Sequence, residues 1–237
     1  MIVRTSQGSI QLITQPDHAQ LARRVMERCA PLATRPRRAA VLRAVAEHDN
    51  GWAEEDDAPR VNPTTGQIVD FVNAPAEVRQ RVWPRGVARV ADDPWAAALV
   101  AQHAIVVYDR FHSDPEWAPF FARMTILRDE MLERSGSTLD ELAPDYTFVR
   151  LADLISLTFC TGWTDEQGFG GWTVHLSGAS VVVAPDPFDG AVIPLEIAAK
   201  VIPDERYASD QTLHVALSVA ESTTLRGVVI GSRPQPA

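Results

Sequence analysis

The stretch Phe148-Val149-Arg150-Leu151-Ala152-Asp153-Leu154-Ile155-Ser156-Leu157-Thr158-Phe159 decides how the rest of the chain is read. At helical spacing, Leu151, Leu154, Ile155 and Thr158 share one side, and Val149 and Leu157 the other. A helix that is apolar on nearly every side belongs at the centre of a bundle. Asp153 sits inside it, and a buried carboxylate costs several kcal/mol unless it is paired or metal-bound. Asp153 therefore calls for a cation, either an arginine such as Arg150 or a metal ion.

Further helical patterns lie upstream of this stretch. Pro16 and Asp17 open one that runs to about Cys29, because proline suits a first turn and an acid suits the positive helix end. A second spans Arg37–Asp49 and is expected to stop at Asn50-Gly51 in a left-handed cap. Others cover 76–90, with a break near Pro84, then 94–112, 115–134 and 138–161. Residues 50–75, with the turn signal Asn62-Pro63-Thr64-Thr65-Gly66, read as an irregular loop beside His48-Asp49 that could close over a pocket. Ile2–Arg4 and Ile10–Thr14 read as a hairpin across Gly8.

Beyond Gly162 the pattern becomes β-like at Trp172–Leu176, Ser180–Ala184, Leu195–Ile202, Thr212–Ala220 and Leu225–Ile230. The expected fold class is α+β. It comprises an all-α bundle with its N-terminal hairpin over residues 1–163, then a small antiparallel sheet over 164–237 that the hairpin joins.

Composition narrows the function. The 237 residues include 22 Lys+Arg and 31 Asp+Glu, for a net charge of −9, with 46% hydrophobic and 22% charged residues. These values suit a globular chain and argue against general nucleic-acid binding or a polybasic membrane surface. Two cysteines, Cys29 and Cys160, supply neither a disulfide framework nor a thiolate zinc site. Ala96–Tyr108 falls short of the roughly 18 apolar residues that a membrane span needs. A cytoplasmic protein is expected. No Walker-type loop, CxxC pair or GxSxG elbow occurs, and Gly168-Phe169-Gly170-Gly171 reads as a linker turn.

Three histidines share the apolar helix faces with Asp153. His18 lies in line with Leu21, Ala22 and Val25; His48 lies over Ala44 and Val45 beside Asp49; His103 lies between Leu99 and Val107. Singly, each reads as a core histidine bonded to a carbonyl. Together, buried imidazoles and carboxylates from separate helices suit a divalent transition ion such as Mn, Fe, Co, Ni or Zn. His175 and His214 fall in predicted strands without clustered partners. The acidic run Glu54–Asp57 reads as a solvated turn, and Trp52, Trp83 and Trp95 as packing residues.

In order, His18 (QPDHAQLA), His48-Asp49 (AVAEHDNGW) and Asp153 (VRLADLIS) resemble the HD-domain superfamily of metal-dependent phosphohydrolases, over residues 16–161. Within it, the QPDHA and HDNGW phrasing is similar to an uncharacterised bacterial family of unknown function. The resemblance implies one metal held by His18, His48, Asp49 and Asp153. It also implies a catalytic role for Asp49 at the nucleophilic water, with His103 as a further ligand or as the acid for the leaving group. Asn50-Gly51-Trp52 departs from it, since many members carry a phosphate-facing residue there. His112, nine residues after His103, would face away if the helix continued, so one ion is favoured over two.

The expected activity is hydrolysis of a small phosphorylated substrate, a phosphate ester or nucleotide, with Arg23, Arg43 or Arg150 clamping the phosphate. The alternatives are a di-iron oxygenase and a non-catalytic metal- or nucleotide-binding module. Homo-oligomer formation is left open, with the late sheet as the candidate surface.

Overall fold

The computed structural model describes residues 1–6 and 8–232. In chain order its strands and helices are β1 (Ile2–Ser6), β2 (Ser9–Ile13), α1 (Gln15–Met26), α2 (Ala30–Ala33), α3 (Arg38–Glu47), α4 (Ala53–Asp57), α5 (Ala76–Arg89), α6 (Pro94–Val107), α7 (Ala118–Ser135), α8 (Leu139–Thr161), β3 (Gln167–Phe169), β4 (Trp172–Ser177), β5 (Ser180–Ala184), β6 (Val192–Pro203), α9 (Asp210–Ser218) and β7 (Glu221–Gly231). Short 3-10 turns lie at Asn50–Trp52 and Asp109–Phe111.

The fold is α+β, but it is not a mainly helical HD-type bundle followed by a small sheet. Helix accounts for 50% and strand for 21%, and the seven strands form one curled, mixed sheet in the order β1-β2-β6-β7-β5-β4-β3. The N-terminal hairpin joins the late strands as expected, with β2 pairing with β6 from Ser9↔Pro203 to Leu12↔Lys200; what fails is the all-α bundle with a small separate sheet, because the strands from both ends build one seven-stranded sheet on which the helices pack. The sheet is also not purely antiparallel. β5 and β7 run parallel, from Ser180↔Val228 to Val183↔Gly231, because β6 and α9 intervene and return the chain in the same direction.

β6 forms the spine of the sheet. Its alternating Ile193, Leu195, Ile197 and Ala199 are buried, which fixes which face meets the helices. The apolar core runs from these residues into α1, α3, α6 and α8, with Leu151 and Ile155 of α8 fully buried. α8 is therefore central, as its sequence requires.

Several local expectations change. Thr212–Ala220, expected as a strand, lies largely within α9. Ser209 caps this helix by accepting from Thr212 N at 3.3 Å, and Thr212 Oγ1 accepts in return from Ser209 N at 3.0 Å. The alternation misleads because only Leu213 of the four apolar residues is fully buried, while Val215 and Val219 are exposed. The face that packs is Leu213, Ala216, Leu217 and Ala220, at helical spacing. Pro84 does not break α5, since the neighbouring Val82, Trp83 and Val87 are buried and hold the helix together. The helix expected over 94–112 ends at Val107. Residues 50–75 are more ordered than expected. Val61 and Ile68 form an antiparallel bridge, and Asn62 Oδ1 accepts from Thr64 N and Thr65 N at 2.9 and 3.1 Å. Gly170 and Gly171 form the tight turn between β3 and β4, both at positive φ, where glycine is unstrained.

Candidate metal centre

Four buried helical segments converge on one point. His18 comes from the first turns of α1, whose start is fixed by Thr14 Oγ1 accepting from Asp17 N at 3.1 Å. His48 and Asp49 follow the last turn of α3. His103 lies in the middle of α6, and Asp153 in the middle of α8. All five are at most 7% exposed.

The turn after Asp49 shows why its sequence is Asn-Gly-Trp. Gly51 is not a left-handed cap, as its φ is not positive. Instead it lets the 3-10 turn lie against α5, where a Cβ would stand 2.0 Å from the Val82 carbonyl oxygen. Arg89 donates to the Asn50 carbonyl and fixes the same turn. Glycine is therefore required for close approach, and that approach sets the position of Asp49.

His18 Nε2 lies 3.0 Å from His48 Nε2, 3.0 Å from Asp49 Oδ2 and 3.8 Å from Asp153 Oδ1. His48 Nε2 lies 3.6 Å from Asp49 Oδ2 and 3.5 Å from Asp153 Oδ1. An ion about 2.0–2.2 Å from tetrahedral ligands separates them by about 3.3–3.6 Å, and these five distances fall within and on either side of that range. His103 Nε2 stands 3.6 Å from Asp153 Oδ2. The two groups His18-His48-Asp49 and His48-His103-Asp153, each with its ligand atoms within 4.8 Å of one another, share His48.

The outer partners orient these rings. His48 Nδ1 donates to the Val45 carbonyl at 2.7 Å, so in the neutral ring Nε2 carries the lone pair. His18 Nδ1 meets Ser156 Oγ at 2.8 Å, while that hydroxyl reaches the Ala152 and Asp153 carbonyls at 3.1 and 3.2 Å. With Ser156 donating to those carbonyls, it accepts from His18 Nδ1–H and leaves the His18 Nε2 lone pair facing inward. Tyr146 shares a 3.2 Å hydrogen bond with His103 Nδ1. Metal-binding histidines are held by outer hydrogen bonds of this kind.

Two imidazole nitrogens and two carboxylates meet here, and without a metal ion a proton on His48 takes the place of the cation. Burial alone would lower the His48 pKa, but Asp49 and Asp153 outweigh it and raise it to about 9. Burial opposes ionisation of Asp153 as well, yet the His48 hydrogen bond, Arg150 and His103 hold it well below the usual carboxylate range. Burial pushes His103 down to about 3, so it stays neutral.

Arg150, one turn before Asp153, pairs with Asp153 Oδ2 and leaves Oδ1 facing His18 and His48. Of the three arginines considered for a phosphate, only Arg150 faces this point. Arg23 pairs with Glu27 and Arg43 with Asp92 on the surface. His112 is exposed near Asp109. His214 is on α9 rather than a strand and meets the Pro59 carbonyl at 2.9 Å, while His175 faces Glu166 at 3.7 Å. The acidic run 54–57 is an ion-paired segment rather than a solvated turn. Glu54 and Glu55 meet Arg81, Arg85 and Arg89, and the buried Asp56 accepts from Gln15 N at 2.5 Å. Trp52, Trp83 and Trp95 are buried, with Trp95 Nε1 donating to Asp145 at 3.1 Å.

A cleft of about 230 Å³ opens from Asp49, His103 and Asp153. Its walls include Arg110 and Arg150, the aromatic rings of Phe71, Trp83, Tyr108 and Trp163, and Gln15. A larger cavity of about 520 Å³ lies on the other side of Trp52, lined by residues of 58–78 and 208–210, but it contains none of the convergent histidines. The smaller cleft is the one with chemistry. Sequence reasoning missed Ser156, Tyr146 and Gln15 as supporting groups. Their signal was present in the spacing, since Tyr146, Arg150, Asp153 and Ser156 follow one stripe of α8 and Gln15 lies one turn before His18.

Fold and site together define an α+β protein with a candidate metal centre where its central helices meet. The chain belongs to the family described as "Protein of unknown function (DUF3891)", whose model matches residues 1–204. That match takes in β1, β2 and β6 as well as the helices that carry the site. No curated protein and no solved structure matches the chain. No helix among the described residues is long and apolar enough to cross a membrane.

Proposed function

We propose that the protein is a metal-dependent hydrolase of phosphate esters, with one divalent transition ion held by His18, His48, Asp49 and Asp153. The observation that carries this reading is the convergence of His18 Nε2, His48 Nε2, Asp49 Oδ2 and Asp153 Oδ1 at 3.0–3.8 Å, with both rings oriented from behind. The order of these residues along the chain, which resembles the HD-type phosphohydrolases, supports it further. A bound ion there would lower the pKa of a water towards ~7 and polarise a phosphoryl oxygen.

The protein's own groups supply the rest. Asp49 and Asp153 carry two negative charges, Arg110 and Arg150 two positive charges, and a divalent ion would bring the total to +2. That balance favours an anionic substrate. Arg150 holds Asp153 by one carboxylate oxygen and presents the rest of its guanidinium to the cleft. Asp49 accepts the proton of the attacking water, whose oxygen bonds to phosphorus as the ester P–O bond breaks. The leaving oxygen takes a proton from solvent. His103, neutral and held by Tyr146, stands with His48 and Asp153 as the second group of side chains that could hold an ion.

Protein loaded with Mn, Fe, Co, Ni or Zn in turn is expected to release phosphate from simple phosphomonoesters with at least one of them, and Asp49→Ala is expected to stay folded and lose both ion and turnover. A fully loaded protein inert towards every monoester would remove the hydrolase reading, and unchanged metal content in Asp49→Ala would remove the ligand assignment.

A further inference from the structure

We propose that the substrate of this centre is a small phosphate ester of a flat apolar alcohol, an aryl or arylmethyl phosphate, with its ring laid against the exposed face of Trp163 beside Phe71. The proposal rests on the metal-hydrolase reading and narrows it. Three features of the cleft carry it.

The first is size. At about 230 Å³ the cleft is below the roughly 300–1,000 Å³ of sites that enclose drug-sized ligands, so the ester must be small. The second is the mouth. Trp163 and Val72 are 43% and 45% exposed, among the few large apolar side chains left open to solvent. The Phe71 and Trp163 rings stand 6.1 Å apart and tilted by 39°, and Leu157 lines the same cleft. Exposed apolar surface grouped beside a polar site marks a place where a ligand contributes the missing contact.

The third is the supply of polar partners. Beyond the metal-binding residues, the cleft offers the cations Arg110 and Arg150, the Trp83 indole N–H and the Gln15 amide. Trp83 and Gln15 are 4% and 2% exposed, and Trp83 Nε1 and Gln15 Oε1 are both buried without a hydrogen-bond partner. The indole N–H and the two guanidinium groups suit the oxygens of one phosphate. A sugar or polyol ester would bring several hydroxyls, of which one could donate to Gln15 Oε1 while the others would face Phe71, Val72, Leu157 and Trp163.

The test uses calorimetric titration of the full-length, metal-loaded protein with benzylphosphonate and methylphosphonate, which present the same anion with and without a ring. Benzylphosphonate is expected to bind at least ten-fold more tightly. Trp163→Ala is expected to bring the two affinities within about two-fold, with metal content and circular dichroism unchanged; Trp163 is already half open to solvent, so its loss leaves the core packed. Equal affinities in the parent protein, or a Trp163→Ala variant that weakens both ligands alike, would overturn the ring site while leaving the metal centre standing. A loaded protein that binds neither phosphonate would overturn the phosphate reading itself, and a protein that takes up no ion would overturn the centre before any ligand is added.

Discussion

Ser156 makes no contact with the proposed ion, yet its hydroxyl fixes the ring that does. Ser156→Ala removes the acceptor 2.8 Å from His18 Nδ1 and leaves that N–H buried without a partner, since Ser156 is fully buried. An unpaired buried donor costs about 1–3 kcal/mol. Alanine recovers a few tenths in helix propensity, so unfolding in urea is expected to fall by about 1–2 kcal/mol. The larger effect is on the ion. A freed ring can flip or change tautomer, and loss of such an outer partner typically costs about 10–100-fold in metal affinity, or about 1.4–2.8 kcal/mol. Competition against a chromophoric chelator for Zn, Co and Mn reads this directly. Thr158→Ala, two residues further along α8 and also buried, controls for general destabilisation. Affinity unchanged in Ser156→Ala, or reduced equally in Thr158→Ala, would refute the claim that Ser156 orients His18 for a cation.

Three further outcomes follow from the same geometry. Gly51→Ala sets a Cβ 2.0 Å from the Val82 carbonyl and should cost about 2–3 kcal/mol by overpacking; equilibrium denaturation and metal content are both expected to fall, and a variant of parental stability would disprove the close-approach explanation. Asp145 is buried and accepts from Arg35 Nε at 2.8 Å and Trp95 Nε1 at 3.1 Å, so Arg35→Ala, which strands a buried carboxylate, is expected to cost about 2–4 kcal/mol without changing metal affinity. His48, held at about 9 in the absence of a cation, must lose a proton when an ion binds. Binding should therefore release close to one proton at pH 7.5, and affinity should rise about ten-fold per pH unit up to about pH 9 and then level off; titration in buffers of different ionisation enthalpy measures the proton count, and a count of zero would contradict the shift.

The site was legible in the sequence because a buried charge is conspicuous in an apolar helix. Asp153 stands out in FVRLADLISLTF, and the three histidines lie on similarly apolar faces, so pattern alone selected the five residues that the fold brings together. The supporting shell was less visible, because Ser156 and Tyr146 are ordinary helix residues until their partners across the bundle are known. The fold was half legible. Helix positions followed from periodicity, with errors at ends such as Val107, where local pattern does not specify the stop. The sheet was misjudged in extent and direction because strand pairing is non-local. Nothing in Ile2–Ser6 or Ser180–Ala184 states that one lies at the edge of a sheet whose spine is β6, or that the other pairs in parallel with β7. At α9 the alternation of Leu213, Val215, Leu217 and Val219 competed with helical spacing, and the Ser209–Thr212 capping pair that starts the helix went unread.

The measurement that bears most directly on the central claim is the metal content of untagged protein, by elemental analysis, beside Asp153→Ala. The geometry predicts about one transition ion per chain in the parent and little or none in the variant, with both proteins folded by circular dichroism. A parent protein that holds no ion even after reconstitution, or a variant that retains it in full, would show that His18, His48, Asp49 and Asp153 are core pairings rather than a metal centre.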